Sequence, residues 1–284
     1  MNIAPTLSCP SWMSIYDPLE HILFADNFDS GLLGWCPLIG NYVDDLARMH
    51  PGYQPITTPM LTSLPFWETG SHGALTGNYA LKIQSRPETG SQNVAIKRLT
   101  FPYFTEIKLE FWFAFKPEAN EAQLLDTSVR SIGVLFDLQN DEHRIMPHLR
   151  YLNAYNGERR EQWQFKEDRV PIETLSSNTV THYHLKDEGW RDLPGGKQQL
   201  CYNEIPTKVN WQKVSVGFDV RTGRYTHFSC NDIVFDMSGH GALRLNAMPN
   251  LRGLLNIALF VESDADRRCN LFVDSIVLSA KGEK

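Results

Sequence analysis

His148 and Arg150, Gln162 and Gln164, and His182 and His184 are three pairs of polar residues, each pair spaced two apart. In an extended chain that spacing sends both side chains of a pair to the same side. Three such segments lying side by side would make a polar sheet face of imidazole, guanidinium and carboxamide groups. Glu110, Trp112 and Asp219, at matching positions of other segments, would join it, with His227 at its margin. Lysine and glutamate, the usual residues of a solvent-washed face, are scarce at these positions. Sugars suit such a surface, because hydroxyls hydrogen-bond to planar polar groups and an indole such as Trp112 or Trp163 can stack on a pyranose ring. Arg150 is the expected anchor, since its fork grips a uronate carboxylate or two hydroxyls at once. The expected partner is an oligo- or polysaccharide.

Catalysis on that face would need a proton carrier, and Glu110 and His182 are the residues expected in that role. Glycoside hydrolysis requires two carboxylates flanking the scissile bond, for which the strand-like segments offer Glu110, Asp137 and Asp219. β-Elimination from a uronate requires a cation or amide at the carboxylate and a His or Tyr base. Arg150, Gln162, Gln164, His148 and His182 are of those types. Recognition without chemistry asks for fewer coincidences and leads, with hydrolase or lyase as the alternative. A third reading is an assembly module pairing through strands or loops that carry Trp67 and Trp190. His182 and His184, with Asp187 nearby, could converge on a transition metal. No third ligand stands at a recognisable spacing, so two imidazoles on a polar face is the preferred reading, and His143 with His148 carries still less weight.

The elements that must position these residues are strands. Ile107, Leu109, Phe111, Phe113 and Phe115 alternate with Lys108, Glu110, Trp112 and Ala114, and Val214, Val216, Phe218 and Val220 alternate with Lys213, Ser215, Gly217 and Asp219. One apolar and one polar face is the signature of an antiparallel sheet with a wet side. Segments 79–84, 94–97, 256–262 and 270–279 read the same way, the last two joined by the charged loop 263–268. Thr222-Gly223 and Asn231-Asp232 are tight-turn pairs that make a three-strand meander of 212–236. Helix is expected only as one or two turns within 118–130. Segments 49–77 and 188–206, rich in Pro and Gly, read as long loops that carry function.

The 284 residues, 42% hydrophobic and 21% charged, suffice for a large core, and the even strand pattern predicts one domain over 23–284 with an extension at 1–22. A formal net charge of −6 argues against nucleic acid or an anionic membrane as partner, and no apolar run reaches the roughly 20 residues that span a bilayer. The five cysteines, Cys9, Cys36, Cys201, Cys230 and Cys269, show no CxxC pair and read as reduced thiols. Residues 1–16 hold no Lys or Arg and are broken by Pro5 and Pro10, unlike a signal peptide, so a cytoplasmic protein is expected.

Several segments resemble, in order, motifs of the concanavalin A-like lectin and glucanase superfamily, laminin-G-like modules included. Phe24-Ala25-Asp26-Asn27-Phe28-Asp29 with Gly34-Trp35 resembles the opening strand, and Gly77-Asn78-Tyr79-Ala80-Leu81-Lys82 the next. Trp211 to Asp232 is similar to the central meander, and Leu271-Phe272-Val273-Asp274-Ser275-Ile276-Val277-Leu278 to the closing strand. The resemblance spans 24–278 and implies an all-β jelly-roll β-sandwich of two antiparallel sheets. It also implies a structural calcium between Asp274 and Asp26, with carbonyls near Gly77-Asn78 completing the cage. The alternative is that Asp274 accepts backbone amides at a strand end. No further cofactor is implied. The superfamily's glucanase run E-x-D-x-x-E is absent here, as are the Arg-rich and Gln-x-His signatures of its lyases.

Overall fold

The computed structural model describes residues 11–38, 58–62, 73–101, 104–118, 125–139, 143–167, 189–200, 209–247 and 253–282. In chain order the strands are β1 (His21–Asp26), β2 (Cys36–Pro37), β3 (Met60–Leu61), β4 (Leu81–Gln84), β5 (Gln92–Thr100) and β6 (Phe104–Pro117). There follow β7 (Val129–Gln139), β8 (His143–Met146), β9 (His148–Tyr155), β10 (Glu158–Lys166), β11 (Trp190–Lys197) and β12 (Gln212–Asp219). The last five are β13 (Tyr225–Cys230), β14 (Ile233–Val234), β15 (Leu243–Asn246), β16 (Leu254–Ser263) and β17 (Cys269–Gly282).

They form two antiparallel sheets, the all-β sandwich that the alternation implies, with the jelly-roll fold that the resemblance implies. The first sheet runs β14-β13-β12-β6-β17-β4-β3, with β1 also paired to β17; the second runs β11-β10-β9-β7-β16-β5-β2, with β8 and β15 at its margin. Consecutive strands β4, β5, β6 and β7 alternate between the sheets, as do β16 and β17, so the long pairings are between segments far apart in sequence. The expected meander is β12-β13-β14. Among the described residues of 118–130, helix is reduced to one 3-10 turn, Asp126–Ser128. Part of the expected loop 188–206 is instead the edge strand β11, whose Pro194, Gly195 and Gly196 disguise it; an edge position tolerates them.

Between the sheets the core is built from the expected faces: Ile107, Leu109, Phe111, Phe113 and Phe115 of β6, Val214, Val216 and Phe218 of β12, and Leu149, Tyr151, Trp163 and Phe165 from the other side. Strand β5 reverses the simple rule. Val94 and Ile96 point outward into a second apolar cluster with Leu135, Ala258 and Phe260, and Lys97 points inward. There its ammonium meets Asp26 of β1 at 2.6 Å and the carbonyl of Leu33 at 2.6 Å, while the indole of Trp35 donates to the same carboxylate at 3.0 Å. This buried, hydrogen-bonded pair ties the two sheets at one end of the sandwich.

Residues 11–19 lie across the outer face of the first sheet as a strap. Met13 and Tyr16 pack on Val277 and Trp112, the Tyr16 hydroxyl donates to the Ser275 carbonyl, and the Leu19 amide donates to Ser279 Oγ at 2.9 Å. Lys213 reaches up to the carbonyl of Ile15 at 2.5 Å, with its ammonium also over the Tyr16 ring.

Candidate functional site

The outer face of the second sheet is set by register. One row crosses Ile96, Ala258, Leu135 and His148, with Lys166 and Trp190 paired at its far end. The next crosses Val94, Phe260, Gly133, Arg150, Gln164 and Asp192. Each row is thus apolar over β5 and β16 and polar over β9 to β11. Glycine at 133 is required, because a Cβ there would come within 2.3 Å of the Phe260 ring lying across it.

On the polar half, Arg150 Nε donates to Gln164 Oε1 at 2.7 Å, and Gln164 Nε2 donates to Asp192 Oδ1 at 2.7 Å. Trp190 sits against this relay: the Arg150 guanidinium lies 4.5 Å and the Lys166 ammonium 5.0 Å from its ring centroid, with His148 edge-on. His148 is fully buried, with Nδ1 at 2.6 Å from the Met146 carbonyl and its amide donating to Tyr225 Oη of the first sheet at 3.0 Å. Burial pushes the Tyr225 hydroxyl far above its ordinary pKa, so it stays a neutral bridge between the sheets. Gln162 donates to the carbonyls of Trp163 and Leu193 and so fixes the bulged pairing of β10 with β11.

Beside this relay is an open depression of about 510 Å³ lined by Arg150, Arg160, Gln162, Gln164, Asp192 and Lys197, with Tyr155 at its wall. Tyr155 stands at the tip of the β9–β10 hairpin, which is heavily fixed. Asp264 accepts from the amides of Asn156 at 3.1 Å and Gly157 at 2.6 Å, and from Arg130 Nε at 2.8 Å. Glu262 takes Arg130 Nη1 at 3.0 Å, and the guanidinium backs the Tyr155 ring at 5.2 Å. The ring is held in place and still 40% exposed.

Of the nine residues expected on one face, the seven that are described are divided between two. His148, Arg150, Gln162 and Gln164 share the second sheet's outer face. Glu110, Trp112 and Asp219 belong to the first sheet, because β6 lies between β12 and β17 and never neighbours β9 or β10. Glu110 is buried beneath the strap, 3.5 Å from the Asp17 amide and 3.6 Å from Lys108 Nζ, and is shut off from any polymer. Trp112 packs on the strap, and Trp163 is in the core. Asp219 accepts the amides of Arg221 at 2.8 Å and Thr222 at 2.9 Å. Burial raises its pKa, but those amides and the Arg221 charge prevail and leave it below the usual carboxylate range. His227 is on the first sheet, half-buried, and burial with the Lys108 charge lowers its pKa. Asp137 is occupied by Arg144 through two bonds, of 2.6 and 2.5 Å. His182 and His184 lie outside the described residues, as does the side chain of His143.

Asp26 and Asp274 do not share a cation site. Ser275, at φ +51°, makes a bulge in β17 that shifts side-chain parity, so Ile276 and Leu278 enter the core while Asp274 points to the outer face. Asp26 turns inward to Lys97. Asp274 Oδ2 accepts from the amides of Leu75 at 2.8 Å and Thr76 at 3.0 Å, and Oδ1 from the Ser275 amide at 2.6 Å. An ammonium, an indole N–H and three amides are donors, the opposite of the oxygen cage that calcium needs, so these residues do not fit it. Among the described residues, no group of three or more His, Cys, Asp and Glu could hold a metal ion. Burial pushes Asp274 up to about 6, against the pull of its amide bonds.

Tyr155, Arg160, Lys166, Asp192 and Lys197 were not singled out in the sequence. Lys166 continues the Gln162–Gln164 parity and was within reach of the same reasoning. Asp192 and Lys197 were hidden by the loop-like composition of β11.

A family model described as Domain of unknown function (DUF6772) matches residues 5–282. The chain belongs to this family. None of the curated proteins matches it. Among solved structures, this DUF6772 chain is similar to an endo-beta-1,4-glucuronan lyase from the fungus Trichoderma reesei (10% identity, TM-score 0.48, covering 92% of this chain and 96% of that one). It is similar also to the cellulose induced protein Cip1 (8% identity, TM-score 0.45, 92% and 98%). A third is a mixed linkage glucan GH16 protein of Bacteroides ovatus (10% identity, TM-score 0.41, 90% and 100%).

Proposed function

We propose that this DUF6772 protein recognises an acidic polysaccharide in the depression on the outer face of its second sheet. The observation that carries the reading is charge: among the described residues, Arg150, Arg160 and Lys197 line the depression against a single carboxylate, Asp192, in a chain of net charge −6. A uronate carboxylate takes a guanidinium fork, the Gln162 and Gln164 amides and Asp192 address hydroxyls, and the Tyr155 ring offers a preorganised apolar platform. Because Gln164 bridges Arg150 to Asp192, the anchor is already aimed before ligand arrives.

Hydrolysis is not supported at this place: the described lining holds one carboxylate, and Glu110 belongs to the opposite sheet. β-Elimination is the second reading, favoured by a phenol, Tyr155, that lines the same depression as Arg150 and Gln164. Calorimetry of the full chain with oligogalacturonate, oligoglucuronate and cellotetraose tests the proposal. The acidic oligomers should bind, more weakly as salt rises, and the neutral one should not; equal binding of cellotetraose, or none of any, would overturn it. Growth of ultraviolet absorbance from a 4,5-unsaturated product in the same mixtures would add elimination to recognition.

A further inference from the structure

A second basic depression, of about 430 Å³, opens at the end of the sandwich where the β12–β13 turn meets the segment before β15. Three guanidinium groups line it: Arg221 and Arg224 on the turn and Arg244 on β15. Nothing in the reading of the sequence or in the glycan proposal uses them.

The scaffold beneath them is tightly specified. Asp219 caps the turn through two amides, and Gly223 accepts the Ala242 amide at 2.7 Å, while Arg224 bridges to Gly241. Gly223 sits at φ +69°, a conformation that side chains resist, and the Arg244 stem passes 3.4 Å from where its Cβ would be. The stem is thus laid across the turn, and its Nη1 reaches the Thr222 carbonyl at 3.5 Å. Arg221 keeps a loose contact with Asp219 at 3.5 Å, and the Arg224 side chain has no hydrogen-bond or ion-pair partner among the described residues.

Among the described residues one carboxylate lines this depression, and it is already committed. Glu167 Oε1 lies 2.7 Å from His240 Nδ1 and its Oε2 takes Arg191 Nη1 at 3.1 Å. Apart from the loose Arg221–Asp219 contact, the three arginines face an open space with no ion-pair partner among the described residues. Gly239 and Gly241 leave room there for an occupant to approach the backbone.

We infer that this arginine cradle is an anion site for a tetrahedral, multiply charged oxyanion, a phosphate or sulfate group, separate from the glycan depression. Planar guanidinium forks match tetrahedral oxyanions through paired hydrogen bonds, and three of them favour a dianion over a single carboxylate. The group could be carried on a sugar or arrive as a free ion, and both share this chemistry.

Calorimetry of the full chain at constant ionic strength, with inorganic phosphate, sulfate and acetate as probes, tests it. Phosphate or sulfate should bind in competition with chloride, and acetate should bind at least about tenfold more weakly. Arg224→Gln and Arg244→Gln should each weaken the dianion about tenfold or more, whereas Arg150→Gln should leave it unchanged. Repeating the titration with a sulfated and an unsulfated form of one oligosaccharide separates a carried group from a free ion. Absence of dianion binding, binding that survives the double Arg224→Gln/Arg244→Gln variant with its melting temperature intact, or loss with Arg150→Gln would overturn the inference. Only the last of these would touch the acidic-glycan site as well, so failure here leaves that proposal standing.

Discussion

The outer faces of the two sheets are built from the same alternating pattern and end in opposite states. On the first sheet Glu110 and Trp112 face away from the core, yet both are covered by residues 11–19, with Tyr16 buried to 8% exposure. On the second sheet the polar half holds its own arginine, glutamine and aspartate in a relay and leaves a depression open beside Tyr155. Polarity at alternate positions therefore identifies an outer face and says nothing of whether it is open. Among the described residues, what distinguishes the two faces is a distant segment of chain that lies on one of them.

The largest effect tests the tie between the two faces. Lys97→Met strands the Asp26 carboxylate in the interior with only the Trp35 indole, so stability measured by urea unfolding should fall by about 3–5 kcal/mol. A loss under about 1 kcal/mol would mean that the pair is not a tie at all. Next, Tyr16→Ala should remove about 3 kcal/mol by emptying the strap's buried anchor, while acidic-oligosaccharide binding stays within about twofold. If binding changed in step with stability, the faces would not be independent.

Asp274 sharpens the comparison by pH. Its folded pKa, about 6, exceeds the ordinary value of 3.8, so the folded state holds the proton more tightly. Stability from this group is then greatest below about pH 4 and declines as pH rises through 6, by up to about 3 kcal/mol. Asp274→Asn should flatten the melting-temperature profile across that window; an unchanged slope would assign it to other groups. The smallest effect on stability is expected on the open face: Arg160→Ala and Lys197→Ala, both exposed, should stay within about 0.5 kcal/mol while weakening acidic-glycan binding severalfold.

The same contrast explains what could be read from the sequence. Strands β6 and β12 were legible because one of their faces is core and the other polar. Strand β5 was legible as a strand but not in orientation, since Val94 and Ile96 feed an outer cluster and Lys97 is drawn inward by Asp26. The pairing of Asp26 with Asp274 failed at Ser275, where a single left-handed residue moves every later side chain of β17 to the other face. The polar pairs on β9 and β10 were rightly placed together, because a hairpin joins them directly. Adding Glu110, Trp112 and Asp219 to them assumed that polar positions of different strands share a sheet. In a sandwich whose chain passes repeatedly from one sheet to the other, parity alone cannot assign a residue to one of them.

The central claim is that the second sheet's outer face, and not the first's, receives the polymer. Its most direct test is calorimetric titration of an oligogalacturonate into wild type, Arg150→Gln and Lys213→Ala, each checked for folding by its melting temperature. The account predicts at least about tenfold weaker binding for Arg150→Gln and unchanged affinity for Lys213→Ala, whose side chain lies on the first sheet beneath the strap. Full affinity in a folded Arg150→Gln variant, or its loss in Lys213→Ala, would contradict it.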